Sequence, residues 1–246
     1  MNQTPFGLSS KQRVSRLREG LKIIHLLWES SAKNPQNFKG EFFSLSNAYL
    51  QAGQEKQPMP PIYLAAFGPN MLQLAGKESD GWLPHCHTPQ TYSQDLATIR
   101  AVAQEAGRDE GSVTPAYYTL ASVSTKREEA DRRVLGPARY FLALIPEALK
   151  KIDPSADHPG RIWEENPNPE EQRALIHKIA TGIPESDAFN TVIHGTIEDC
   201  LGQVEEYRKA GCEEFMLTFV PEGGLWAGSG LLPQIRFFSS KVMSQY

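Results

Sequence analysis

Four short apolar runs, each followed by a stretch with helical periodicity, limit what this chain can fold into more than any other feature of its sequence. Ile62-Tyr63-Leu64-Ala65-Ala66 and Gly81-Trp82-Leu83-Pro84 are too short for helices and show no in-out alternation, the pattern of strands buried on both faces. Val113 to Ser124 is rich in β-branched and aromatic residues, and Glu213 to Val220 contains Phe215-Met216-Leu217-Thr218-Phe219-Val220, so both read as core strands. Helical patterns lie between them. Asn70 to Lys77 follows Pro69, Pro89 to Ala106 follows a capping Thr88, and further helices start near Lys126, Glu170 and Glu198. Leu231 to Met243 closes the chain as a helix. Strand-helix alternation with right-handed crossovers implies a parallel sheet, either closed as a barrel or open and doubly wound.

The first helix is expected from Lys11 to Ser31, where Val14, Leu17, Leu21, Ile24 and Trp28 recur at steps of three and four behind Ser9 and Ser10 as caps. Asn34 to Pro61 reads as a long irregular excursion. Gly136-Pro137 is expected to kink or divide the helix that starts near Lys126, because proline removes an N–H and its ring clashes with the preceding turn. Four prolines between Asp153 and Pro169 mark a lid-like insertion. Nothing divides residues 1–246 into separate domains.

Charge and cysteine usage narrow the function. With 25 Lys+Arg against 29 Asp+Glu, the net charge of −4 offers no footprint for nucleic acid or an anionic membrane. No apolar run is long enough to span a bilayer, and no leader pattern opens the chain. Cys86, Cys200 and Cys212 form neither a disulfide framework nor a metal motif, which points to a reducing cytoplasm.

In either closure of such a sheet, ligands bind at the carboxyl ends of the strands. Four places qualify. Ala65-Ala66-Phe67-Gly68-Pro69-Asn70 combines small residues with a helix start, which suits an anion, although a tight strand-to-helix turn has the same composition. Pro84-His85-Cys86-His87 bunches ligand-type side chains, but adjacent residues on a strand point to opposite faces and do not share an ion. Gly195-Thr196 precedes a helix with Asp199 at capping-box distance, and Pro221-Glu222-Gly223-Gly224 is a turn after the last strand. Of the remaining histidines, His25 and His177 lie in helical patterns and His158 and His194 in loops. These residues identify no metal site and no acid, base or nucleophile, so the catalytic residues stay unknown at this level.

Five stretches, taken together, resemble the luciferase-like superfamily of flavin- and deazaflavin-dependent oxidoreductases. They are Arg16 to Trp28, Phe38-Lys39-Gly40-Glu41-Phe42-Phe43, Pro61 to Pro69, Ala75 to Trp82, and Gly195-Thr196-Ile197-Glu198-Asp199, in matching order and spacing across nearly the whole chain. The resemblance implies a TIM barrel that binds coenzyme F420 or FMN, with the branch of methylenetetrahydromethanopterin reductases and F420-dependent dehydrogenases most similar. It further implies that the Arg16 to Trp28 helix follows the fourth barrel strand. The fold class is then α/β, the carboxyl-terminal half of a (β/α)8 barrel with strands five to eight.

On this resemblance Met1-Asn2 matches the end of a Gly-Glu-Ala-Leu/Met-Asn motif, so Asn2 is a cofactor contact. Ala65, Ala66, Gly68 and Pro69 match the turn that holds the phosphate-bearing tail. The general acid Glu of that motif, and a His and an Asp from the early strands, have no counterpart in this sequence. The implied reaction is hydride transfer between deazaflavin C5 and a small organic substrate, with an FMN-dependent monooxygenase as the alternative. A non-catalytic half-barrel is the other reading, because two unpaired strand edges favour a homo-oligomer or pairing with a missing N-terminal half.

Overall fold

The computed structural model describes residues 12–51, 59–159, 162, 168–224 and 231–242. Helix α1 (Arg13–Trp28) comes first, within the expected range; Ser9 and Ser10 lie outside the described residues. The excursion that follows is not irregular throughout. It contains an antiparallel hairpin, β1 (Gln36–Lys39) and β2 (Ser44–Ala48), whose turn is organised by a side chain of α1. The Glu19 carboxylate accepts the N–H groups of Glu41, Phe42 and Phe43 at 2.6, 3.0 and 3.1 Å. A Cβ at Gly40 would lie 2.3 Å from Glu19 Oε2, so the glycine is what allows this approach.

The apolar runs form a parallel sheet of five strands: β3 (Tyr63–Leu64), β4 (Gly81–Trp82), β5 (Thr114–Val123), β6 (Ile193–Gly195) and β7 (Glu214–Phe219). The long β5 is central. One of its edges pairs first with β4 (Gly81 with Thr114) and then, nearer its end, with β6 (Ala121 with Ile193). Its other edge pairs with β7, Ala116 opposite Glu214. The first two strands are shorter than expected, and β6 is one more than the four runs suggested, which moves His194 from a loop into a strand.

The sheet is strongly curled. Tyr63 on β3 reaches past β4 and β5 to donate its hydroxyl to Glu214 Oε2 on β7 at 3.0 Å, although two strands lie between them. Neighbouring strands are about 4.8 Å apart, so a flat sheet would leave this pair out of reach. The Tyr63 ring passes over Gly81, where an added Cβ would lie 2.4 Å from ring atoms. Gly81 thus lets the ring cross β4.

Helices α2 (Pro69–Glu78), α3 (Pro89–Glu105), α8 (Ile197–Lys209) and α9 (Leu231–Lys241) cover one face of the sheet around Leu72, Trp82, Tyr92, Ile99, Tyr117 and Phe219. A second core lies among α4 (Arg127–Leu144), α5 (Pro146–Ile152), α6 (Pro169–Gly182) and α7 (Glu185–Phe189), where Val134, Leu142, Leu149 and Ile176 meet Cys86, Leu120 and Val220 from the strand ends. These four helices form a cap. Of the expected kink or division, the division does not occur: α4 is continuous through Pro137. Packing of Val134, Ala138 and Leu142 into the second core holds both halves of the helix and outweighs the lost backbone bond. Much of the proline-rich segment from Asp153 to Pro169 lies outside the described residues.

Helix starts follow local chemistry closely. Thr88 and Thr91 form the capping box of α3, and Thr196 and Asp199 that of α8. Replacing Thr196 with alanine is expected to cost about 1 kcal/mol in urea unfolding; no change would mean that Asp199 alone satisfies this terminus.

Candidate active site

The carboxyl ends of the strands meet under the cap, and the turn after β3 is the most fully held of the segments there. Ala66 is buried and its carbonyl accepts the indole N–H of Trp82 at 3.0 Å. The next carbonyl, of Phe67, accepts Lys151 Nζ from α5 at 3.1 Å. The Phe67 ring stacks on His87 (centroids 5.6 Å apart) and meets His85 edge-on at 5.1 Å. Gly68 then caps α2 in an extended conformation (φ −93°, ψ 163°), with Pro69 as the first helical residue.

This glycine is not required by its backbone angles or by crowding, since a Cβ added at Gly68 would meet no atom within 4 Å. Its carbonyl already accepts the N–H groups of Met71 and Leu72. The residues named from the sequence divide accordingly. Ala65, Gly68 and Pro69 border open space, whereas Ala66 is buried and works through its carbonyl. Asn2 lies outside the described residues.

The second segment, Pro84 to His87, follows no strand alternation, because β4 ends at Trp82 and Cys86 adopts the left-handed region (φ 56°). The two imidazoles face different partners. His87 is 1% exposed, with Nδ1 2.9 Å from the His85 carbonyl and Nε2 2.9 Å from Asp95 Oδ2. His85 turns to Phe67, Tyr118 and Phe141 of the cap. Burial, helped by the nearby His87, pulls its imidazole down to about 4, so it is neutral near pH 7. Burial also pushes the Cys86 thiol up, which leaves it unreactive. No group of three or more ligand side chains suited to a metal occurs among the described residues.

Two stacked tyrosines lock this segment from below. Tyr117 Oη accepts the His87 N–H at 3.2 Å and lies 2.8 Å from the His87 and Thr191 carbonyls, while Tyr207 Oη lies 2.6 Å from the same His87 carbonyl. Their rings are 4.4 Å apart. Asp95 on α3 holds the other side. It pairs with His87 and with Lys151, and although burial raises its carboxyl, those two partners bring it below the ordinary 3.8.

The remaining two places have lesser roles. At Gly195-Thr196 the Asp199 carboxylate occupies the helix start and is bridged to Arg127 at 2.8 Å, which leaves no vacancy for an anion. Beyond β7, Gly223 and Gly224 both have positive φ, and a shallow pocket there is lined by Ser124, Arg133, Glu222 and Gln234. Gln234 ties the ends of β5 and β7 together, accepting the Val123 N–H at 3.2 Å and donating to the Val220 carbonyl at 2.9 Å.

Lys151, Asp95, Tyr117 and Tyr207 are absent from the sequence-based site. Asp95 carried a signal, since it falls on the inward stripe of α3 with Tyr92, Leu96 and Ile99, where an acid needs a partner. Lys151 carried none, being one of two adjacent lysines on a short helix.

Known proteins resemble this chain in sequence and fold. The model of the luciferase-like monooxygenase family matches residues 1–214. A phthiodiolone/phenolphthiodiolone dimycocerosates ketoreductase of Mycobacterium tuberculosis is 26% identical over 219 residues, covering 87% of this chain and 57% of its own length. A 5,10-methylenetetrahydromethanopterin reductase of Archaeoglobus fulgidus is 29% identical over 216 residues, covering 83% and 60%. An F420-dependent secondary alcohol dehydrogenase, solved with an F420-acetone adduct, superposes with a TM-score of 0.74 at 21% identity, over 97% of this chain and 64% of its own. The chain thus spans about three fifths of the length of these relatives. With 214 of 246 residues matched by one family model and a parallel α/β sheet that superposes on an oxidoreductase of the same architecture, the chain belongs to the luciferase-like monooxygenase family.

Proposed function

We propose that this chain works as part of an F420-dependent oxidoreductase and that the β3–α2 turn receives the phosphate-bearing tail of the cofactor at Ala65, Ala66, Gly68 and Pro69, with Asn2 as a further contact. The observation that carries this reading is the open space at Gly68, at the start of a helix and directly after two carbonyls held by Trp82 and Lys151. A small residue with nothing against it, beside the positive end of a helix dipole, suits a close-approaching anion. The bound deazaflavin would supply hydride chemistry. The chain's own residues would hold its tail and keep water from the strand ends beneath the cap.

The substrate side is proposed to be a small uncharged organic molecule, because the small pocket between strands and cap is lined by neutral His85, Tyr118 and Phe141 and, among the described residues, by no charged side chain. FMN is the alternative cofactor, since its phosphate suits the same turn. Fluorescence titration of the purified protein with F420 and with FMN separates the two. Tighter binding of F420 is expected, and equal or absent binding overturns the preference. Gly68→Val is expected to keep thermal stability while weakening cofactor binding about tenfold or more, since its side chain projects where the tail would lie. Unchanged affinity would remove the tail from this turn.

We also propose that the sheet is the later half of an eight-stranded barrel whose edges are completed by further strands, either from an N-terminal half or from a second copy. Two observations support this: the curl that brings Tyr63 to Glu214, and Met216 on the end strand β7, 54% exposed. Self-association of the isolated chain is expected in sedimentation velocity, and a stable monomer would count against it. Cytoplasmic placement is part of the same proposal. It is supported by three buried free cysteines, of which Cys200 and Cys212 are pushed up to about 12 by burial.

A further inference from the structure

Among the described residues, one charged side chain of the cap hydrogen-bonds the β3–α2 turn. Lys151 Nζ, on α5, donates to the Phe67 carbonyl at 3.1 Å and to the Asp95 carboxylate of α3. Its side chain is 32% exposed and Asp95 only 8%, so the ammonium sits at the boundary between cap and sheet layer. Asp95 is in turn held by His87, whose ring stacks on Phe67. Lys151, Asp95, His87 and Phe67 therefore form a closed ring of contacts around one peptide unit.

That peptide unit is the one between Phe67 and Gly68. In a planar trans peptide the C=O and the N–H point in opposite directions. A cation that grips the Phe67 carbonyl from the α5 side therefore turns the Gly68 N–H away from α5. Trp82 does the same one residue earlier, since its indole N–H on the Ala66 carbonyl fixes the plane shared with Phe67. On the far side the Gly68 carbonyl is held by the Met71 and Leu72 N–H groups, and the space where a Gly68 Cβ would stand is open, so the Phe67 carbonyl is the point at which the cap acts on this peptide.

We propose that Lys151 is a positioning residue which, from the cap, sets the orientation of the Phe67–Gly68 peptide and thereby aims the Gly68 amide at an anionic ligand. The inference rests on the reading of this turn as a tail-binding site only for the identity of that anion. The orientation itself is a property of the protein alone. Pairing with Asp95 does not by itself account for Lys151, because Asp95 already has a hydrogen-bond partner in His87, whereas the Phe67 carbonyl has no other donor among the described residues.

The test compares Lys151→Met, which keeps the aliphatic stem, with Lys151→Arg, which keeps a cationic donor. Amide hydrogen exchange is read first, without ligand. Lys151→Met is expected to speed exchange across residues 65–72 about tenfold while β5 stays as protected as in the wild type, and Lys151→Arg is expected to restore most of the protection. Unchanged exchange at 65–72, an equal loss of protection in β5, or no recovery in the Arg variant would each overturn the inference. Titration with F420 follows, with about tenfold weaker binding expected for the Met variant and near-wild-type binding for Arg. If the wild-type chain binds neither F420 nor FMN, the cofactor reading fails, and the exchange data still decide the role of Lys151.

Discussion

Trp82→Ala is expected to destabilise the protein by about 3–5 kcal/mol, read as a lower urea midpoint. The indole is fully buried, lies 4.7 Å from Tyr92 and 5.5 Å from His87 between ring centroids, and belongs to the core between sheet and helices. Its removal opens a cavity that rigid neighbours fill poorly, and it frees the Ala66 carbonyl inside the fold. Trp82→Phe separates the two parts. It keeps most of the packing and removes only the indole N–H, so about 1–2 kcal/mol should be lost while the β3–α2 turn loosens. If the Phe variant is as costly as the Ala variant, the hydrogen bond dominates and the packing account is wrong.

The second large effect is acid destabilisation in two separate pH windows. The folded-state value for His85, about 4, lies below its ordinary 6.5. The unfolded chain therefore binds the extra proton first, and stability falls as pH drops from about 6.5 towards 4. The loss is on the order of 2 kcal/mol once the partial exposure of the ring is allowed for. Asp95 acts lower. Its folded value is depressed below 3.8, so its contribution is complete above that pH and is lost as pH falls through the folded value. Chemical denaturation across pH 3–7 should show the upper window vanish in His85→Gln and the lower one shrink in Asp95→Asn. An upper window that persists in His85→Gln would assign it to another group.

The layer order and most helix limits were legible because they follow from local rules. Thr88 and Thr196 announce their helices, Pro69 sits where a first helical residue belongs, and Val113 to Ser124 is a strand by composition. What was not legible depends on contacts distant in sequence. The hairpin β1–β2 owes its turn to Glu19, 22 residues upstream of Glu41, and its residues carry no strong alternation. Strand β6 is only Ile193–Gly195 and exists because the end of β5 offers it an edge. Continuity through Pro137 depends on packing against helices that lie later in the chain.

The candidate site divides along the same line. Ala65, Ala66, Gly68 and Pro69 could be named because small residues before a helix have a local meaning. Trp82 and Lys151 are 16 and 84 residues from the turn carbonyls they hold, and Asp95 is 56 residues from Lys151. One of two adjacent lysines on a seven-residue helix has no pattern to betray it. Only the fold brings it to the Phe67 carbonyl.

The brace from Tyr63 over Gly81 to Glu214 has a consequence for assembly. Curvature that closure alone imposed would relax in an open sheet, and any added strands would first have to bend it back. Here the bend is stored in one phenol, one carboxylate and one missing methyl group within the described strands themselves. On the half-barrel proposal, a complementary half would meet two edges whose separation this contact already limits.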